Sequence, residues 1–566
     1  MALERQLPGR WRRVTFSALS KYANVLTPSA GWAITLPPGI VAAPDVDHLL
    51  VIIDTIFPDS QPRVIAPHVV EDGSWPHVEG NGMLCLESTR IGFDAGERIL
   101  QHISWAIDLL NFDEATRKKE FQREFGIYWR RSCAVKPTLT AYSLIRPTGP
   151  SREVFYFFDW SNATITFADD LRLLSAWLRN KGNNPGQKEI KKTWLTWLDQ
   201  PPYPANFPQI GKDILEDIPD AVLAKTLKPG KRLPVILGTE TETGPVIVGS
   251  MVDSAPKKEV IRGFRPNRVP IERITHLMAY RPIRRFPVQR ADGAYVHGRG
   301  HNEDYEKLAT KTVAIVGCGA LGASIARLLA QAGVSSFILI DHDKLETQNT
   351  SRHLLGHRFV GQYKSDALAA MLLEDFPHLQ DITAHKYSCE HLLSSCMEKL
   401  SSCDLILSAG IDFVGDSALN RWRLASKESP PHLCTWTEPF ALAGHAIALF
   451  GLDDLMDAFD IDGKPRIELT QWNNDKQILI TEAGCGNSFQ PHGSVDLQRT
   501  ITLASKLALD MLTGTLSTPT RRTWQGDLSQ VLHLGGKPSL DFTDSNVEKT
   551  HSWPPSPPNE SQGSKT

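Results

Sequence analysis

Short apolar runs of strand length alternate with longer runs whose apolar residues recur three and four positions apart, most clearly in the C-terminal half of the chain. TVAIVG (312–317), FILID (337–341) and DLILSAG (404–410) read as buried strands. ASIARLLAQAG (323–333), SDALAAMLLEDF (365–376) and LQRTITLASKLALDML (497–512) read as helices, the second with Ser365 or Asp366 as N-cap, the third stopped by Gly514. Such alternation predicts a mostly parallel sheet covered by helices. Nearer the N-terminus, HLLVIIDTIF (48–57) predicts a strand and PDSQPRVIAP (58–67) a proline-punctuated extended stretch. Ile99, Ile103, Ile107, Leu110 and Phe112 predict a helical run from about Glu97 to Trp129. Between these regions lie two strand patterns, REVFYFFDW (152–160) and GPVIVGSMV (244–252), around a loop-like NKGNNPGQKEIKK (180–192). The pattern predicts an α/β multidomain chain: an α+β domain over 1–132, an α/β connecting domain over 133–293, a Rossmann-like domain over 294–535 and a disordered polar tail over 536–566.

Composition narrows the class. With 566 residues, 41% hydrophobic and 22% charged, the chain is an ordinary globular protein of several domains. A net charge of −3 leaves no basic stripe for nucleic acid. Val313–Val334 has the length of a membrane span, but four glycines, Arg327 and Gln331 make it a strand, a turn and a helix. MALERQLPGRWRRV lacks the apolar run of a secretory signal, so a cytoplasmic location without a membrane partner is expected. None of the eight cysteines forms a C-x-x-C pair, which excludes a zinc site of that spacing. Each cysteine is by default a small buried apolar residue.

The chemistry begins at Gly317-Cys318-Gly319-Ala320-Leu321-Gly322, a G-x-G-x-x-G between a strand and a helix. Its glycines allow a tight turn and close approach of backbone N–H groups to phosphate. Asp341 closes the next strand, where an acid can hold a ribose hydroxyl. Alone, this fits an NAD-dependent dehydrogenase. Asp341-His342-Asp343, Asn349, Arg352 and Lys364 then follow within one nucleotide-sized span, and two cations with an Asn suit a triphosphate better.

With its D-x-D, N-x-x-R and G-x-x-K series, the stretch from about 297 to 513 resembles the adenylation domain of ubiquitin-activating enzymes and their bacterial relatives of the ThiF and MoeB type. The resemblance implies ATP and magnesium. Asp341 would hold the ribose, and Asn349, Arg352 and Lys364 the phosphates. Asp412 would be the magnesium ligand, reached only with a one-residue shift, and Asp416 is the fallback. Family adenylation domains are usually dimers, so a homodimer is implied, with Arg299 of VHGRGH reaching the partner's ATP. Cys485, between glycines in EAGCGNSFQPHGS (482–494) and ahead of the last helix, would take the acyl group as a thioester.

Cys85 ends Trp75-Pro76-His77-Val78-Glu79-Gly80-Asn81-Gly82-Met83-Leu84-Cys85. Over about 45–130 the chain resembles ubiquitin-conjugating enzymes, whose His-Pro-Asn precedes the catalytic cysteine at this spacing. Here the motif is Trp-Pro-His. The family Asn supports the oxyanion, so His77 would either donate that hydrogen bond or be structural. Both modules in one chain resemble the fused conjugating–activating proteins of bacterial antiphage CBASS operons; Glu438-Pro439 and Gly444-His445 fit weakly. The resemblance implies that a protein C-terminus is adenylated, passed from Cys485 to Cys85 and joined to lysine-bearing targets. The activated protein would be a CD-NTase cyclic-oligonucleotide synthase or a ubiquitin-like protein. Whether the cysteines meet within or between subunits stays open. A sulfur-carrier adenylase and a non-enzymatic scaffold are the rivals.

Overall fold

A computed structural model describes residues 9–19, 27–67, 69, 74–88, 94–133, 139–186, 189–265, 268–298, 303–388, 391, 397–426, 428–460, 464–473, 478–481 and 488–555. Arg299 and Cys485 lie outside them. The chain divides into two compact units, Met1–Asp169 with Lys188–Gln289, and Asp170–Gln187 with Arg290–Thr566.

In the first unit, Pro28–Thr35, His48–Asp54 and Arg63–Ile65 pair antiparallel, and the sheet ends in the two short strands Met83–Leu84 and Val78–Glu79. Helix Ala95–Leu110 covers it with Ile99, Ile103, Ala106 and Leu110. The expected single run from Glu97 to Trp129 is three helices, Ala95–Leu110, Glu114–Arg123 and Phe125–Arg131. The break has two causes. The Asn111 side chain leaves the helix to bond Ala42 N and Ile40 O, and Asp113 starts a new helix by accepting from Thr116 N.

Residues 139–290 build an eight-stranded mixed sheet around the hairpin Leu233–Thr241 and Gly244–Val252. Phe125, Tyr128 and Trp129 share a core with Phe207, Val235 and Val248 of that region. The boundary expected at 132 therefore falls inside one packed unit, because helix Phe125–Arg131 serves the second sheet's core.

In the second unit, five parallel strands run in the order Asp381–His385, Ser336–Ile340, Thr312–Val316, Leu405–Ala409, His432–Thr437. Three antiparallel strands extend the sheet, Ala443–Leu449, Thr520–Gln525 and Val547–Ser552. Helices Ala320–Ala332 and Ser494–Thr513 contribute to one core against it. The expected N-caps of helix Lys364–Asp375 are not caps. Ser365 lies inside the helix and donates to Asp341 O, and Asp366 pairs with Lys386. The disordered tail is also corrected: Val547–Ser552 is an edge strand, and Trp553 is buried against Ile447 and Leu455. Among the described residues no helix is long and apolar enough to cross a membrane.

Candidate active sites

Strand Thr312–Val316 has its sequence successor on one side and Leu405–Ala409 on the other. The strand order reverses there, and in open α/β sheets ligands bind at the carboxyl ends of such strands. Two adjoining cavities, about 280 and 460 Å³, open at that point, and both are lined by Gly319, Lys364, Ala409, Gly410 and Ile411.

The three glycines have three different reasons. Gly317 has φ +89°, and a Cβ there would stand 2.8 Å from Ala409 O. At Gly322 a Cβ would stand 1.9 Å from Gly317 O, so the helix packs directly on the loop. At Gly319 an added Cβ would meet nothing within 4 Å, because that side faces the cavity at the N-terminus of helix Ala320–Ala332. Gly322→Ala is therefore expected to cost about 1–3 kcal/mol in a thermal or denaturant melt. Gly319→Ala should melt like the wild type but weaken nucleotide binding measured by titration.

Asp341 is 9% exposed and accepts from Cys318 N and Asp343 N, each at 2.8 Å. It thus pins the glycine loop as well as lining the cavity, and burial raises its pKa. Lys364 Nζ pairs with Asp343 at 2.8 Å on the same wall. Asn349 and Arg352 line the second cavity; Asn349 Oδ1 also accepts from Glu346 N. Sequence reasoning missed His353. Its Nδ1 accepts from Leu355 N, so Nε2 donates to Cys318 O at 2.9 Å and holds the glycine loop. Burial pushes its pKa down to about 4, which keeps it neutral. A lone histidine after Arg352 has no sequence pattern to betray this.

Asp412 lines the first cavity and caps helix Phe413–Leu424 through Gly415 N at 2.7 Å. Asp416 points into the core, where it accepts from Ser408 Oγ at 2.7 Å, and burial raises it to about 7. The geometry favours Asp412 over the fallback. A hard divalent cation wants carboxylate and phosphate oxygens, which Asp412 on the wall of a phosphate-sized cleft can help supply. Glu438, also buried, accepts from His445 Nε2, Leu469 N, Thr470 N and Thr470 Oγ1 at 2.6–2.7 Å. Those bonds tie the segment that follows strand Ala443–Leu449 to the turn between that strand and His432–Thr437.

In the first unit, Cys85 is exposed, and its N–H donates to His77 O at 2.8 Å. Gly82, three residues earlier, has φ +77°, and a Cβ there would stand 2.1 Å from Ala66 O. His77 has φ +56°. Its Nε2 lies 3.1 Å from Glu120 Oε2 and its Nδ1 3.5 Å from Glu124 Oε2. Nε2 is bonded to Glu120, and Nδ1 faces Glu124 beyond hydrogen-bond reach, so whichever ring nitrogen carries the proton points it at a carboxylate. Partial burial, then Glu79 and Glu124, push the Cys85 thiol up. Less thiolate is present at neutral pH than on an ordinary cysteine. Iodoacetamide labelling of Cys85, followed by peptide mass spectrometry, should be slow at pH 7. Its rate should climb with pH to a midpoint above that of free cysteine.

The structure brings Gly317, Gly319, Asp341, Asp343, Lys364 and Asp412 to one cavity, and Asn349 and Arg352 to its neighbour. Cys318, Cys403 and Cys434 are buried, as their default reading held. The family described as ThiF family matches residues 296–431, and the one described as Prokaryotic E2 family B matches residues 34–137. The chain is similar to an ATP-dependent ubiquitin transferase-like protein Cap2 of Pseudomonas aeruginosa, at 27% identity over 43% of this chain and 44% of that protein. A protein of the same description from Enterobacter hormaechei is 30% identical over 42% of this chain and 38% of that protein. Ubiquitin-like modifier-activating enzyme 5 of Gallus gallus is 32% identical over 21% of this chain and 32% of that protein. The chain thus spans less than half the length of these curated relatives. It is a fused protein of the bacterial kind, with a Prokaryotic E2 family B domain ahead of a ThiF-family domain.

Proposed function

We propose that this chain activates the C-terminal carboxylate of a protein with ATP and conjugates it to amines. The observation that carries the reading is the open face of Gly319 at a helix N-terminus, with Lys364 and Arg352 on the surrounding walls. A triphosphate suits that charge. The carboxylate attacks the α-phosphate and releases pyrophosphate, giving an acyl-adenylate. Asp341 holds the ribose and the loop, and Asn349, Arg352 and Lys364 hold the phosphates. Magnesium, held by Asp412, would neutralise phosphate charge.

Cys485 then displaces AMP as a thioester, and Cys85 receives the acyl group by exchange. Lysine amines on targets complete the reaction. The activated protein in this reading is a CD-NTase, and the role is antiphage defence in the cytoplasm. The similarity to the proteins described as Cap2 supports this reading. A ubiquitin-like protein is the second donor. The chain works as a homodimer in which Arg299 reaches the partner's ATP.

Nucleotide products test the reading. With a cognate protein bearing a free C-terminus, ATP should yield AMP and pyrophosphate. Formation of ADP, or turnover indifferent to the C-terminus, would sink it, and tight NAD binding would favour the dehydrogenase.

A further inference from the structure

This inference rests on the reading that Cys85 carries a thioester, and it concerns the proton of the attacking amine. Val78 pairs with Leu84 in the short ladder, which puts His77 opposite Cys85, and the Cys85 N–H donates to His77 O. A neutral imidazole has one N–H and an imidazolium two. In either form every N–H of His77 faces a carboxylate, Glu120 Oε2 at 3.1 Å or Glu124 Oε2 at 3.5 Å.

The arrangement suits accepting a proton instead. Glu120, itself held by Arg123 at 2.6 Å, takes the Nε2–H and leaves Nδ1 as the acceptor. The gap from Nδ1 to Glu124 is longer than a hydrogen bond, and an amine at that edge can donate to both. Positive charge arising on the ring lies between two carboxylates, as in the orienting role of a triad acid. The Tyr128 hydroxyl accepts from His77 N at 2.7 Å, and the Glu79–Arg131 pair, 3.7 Å apart, completes the charged surroundings. The His77 side chain is only 13% exposed, so water does not compete freely for it.

We propose that His77 Nδ1 is the base for the primary amine that attacks the acyl group on Cys85, with Glu120 orienting the ring and Glu124 receiving the amine. The nitrogen attacks the carbonyl carbon, a C–N bond forms, and the C–S bond breaks with its pair going to the Cys85 sulfur. The proton lost by nitrogen passes to Nδ1 and then to that sulfur. Thioester and amine thus become amide and thiol with no other reactant.

The test uses the full chain, acylated at Cys85 from a small acyl benzyl thioester and located by peptide mass spectrometry, with Cys85→Ala as blank. Nα-acetyl-lysine is then added, and amide formation and hydrolysis are followed separately from pH 6 to 9. His77→Asn restores the residue of the resembled motif and tolerates the left-handed backbone, so it keeps the fold. It should lose about 10²-fold in aminolysis while hydrolysis changes little. Its remaining rate should follow the free amine, about tenfold per pH unit below the amine pKa. Glu120→Gln should slow aminolysis while hydrolysis changes little, because the ring loses the acceptor that holds Nδ1 toward the amine. A His77→Asn protein with wild-type rate and profile would restore the oxyanion-donor role and overturn the proposal. Equal losses in aminolysis and hydrolysis with unmoved profiles would leave His77 a scaffold residue, also overturning it. Failure of the wild type to acylate at Cys85 would remove the carrier reading itself, and the proposal with it.

Discussion

Asp341→Ala should lower ATP–pyrophosphate exchange by at least about 100-fold. The carboxylate accepts from Cys318 N and Asp343 N, both at 2.8 Å in a buried setting. Each hydrogen bond to a charged group contributes about 1.5–3 kcal/mol, and about 1.4 kcal/mol is a factor of ten. Losing both frees the glycine loop, and the ribose contact goes as well. Asp341→Asn is a sharper variant. Its amide NH2 would face one of the two backbone donors, so half of the loop's anchorage fails without loss of volume. The loss should appear in nucleotide affinity, measured by calorimetry, with Lys364→Ala weakening the same binding. An Asp341→Ala protein that binds ATP as tightly as the wild type would mean that this cleft is not the nucleotide site.

Cys85→Ala should abolish the amide product, by about 10³-fold or more, while leaving pyrophosphate exchange intact. No other described cysteine can replace it. Cys318, Cys403 and Cys434 are buried, and burial pushes Cys133 up to about 11. The raised Cys85 thiol adds a pH signature: thioester exchange onto Cys85 should speed up as pH rises toward its pKa. Quantifying the lysine-linked product by mass spectrometry checks both points. Undiminished product from Cys85→Ala would make the N-terminal domain a bystander.

The proposed nucleotide cleft could be picked out as one cluster because the residues that line it lie close together in the chain. The glycine loop, Asp341, Asn349, Arg352 and Lys364 fall within 48 residues and reach two adjoining cavities. The spacing to Cys85 was readable for the same reason: a short ladder and a tight turn at Gly82 allow few alternatives. What escaped depends on distant partners. Glu120 and Glu124 lie on the far side of helix Ala95–Leu110 in sequence, and nothing ties them to His77 until the chain folds. His353 acts through the backbone groups of Cys318 and Leu355, which leave no mark on residue type. The helical run broke at Asn111 and Asp113 because side-chain bonds outcompeted the apolar periodicity. Val547–Ser552 looked too polar to fold, yet an edge strand needs only one covered face and backbone pairing with Thr520–Gln525.

The central claim is an ordered transfer, from adenylate to Cys485 to Cys85, and intact-mass analysis of the Cys85→Ala protein tests it most directly. After incubation with ATP and the cognate donor, the account requires one covalent adduct of donor mass less water, mapped to Cys485 and cleaved by a thiol reductant. The Cys485→Ala protein should carry no adduct on Cys85. A Cys485→Ala chain that still charges Cys85, or a Cys85→Ala chain with no thiol-labile adduct despite active pyrophosphate exchange, would contradict the order.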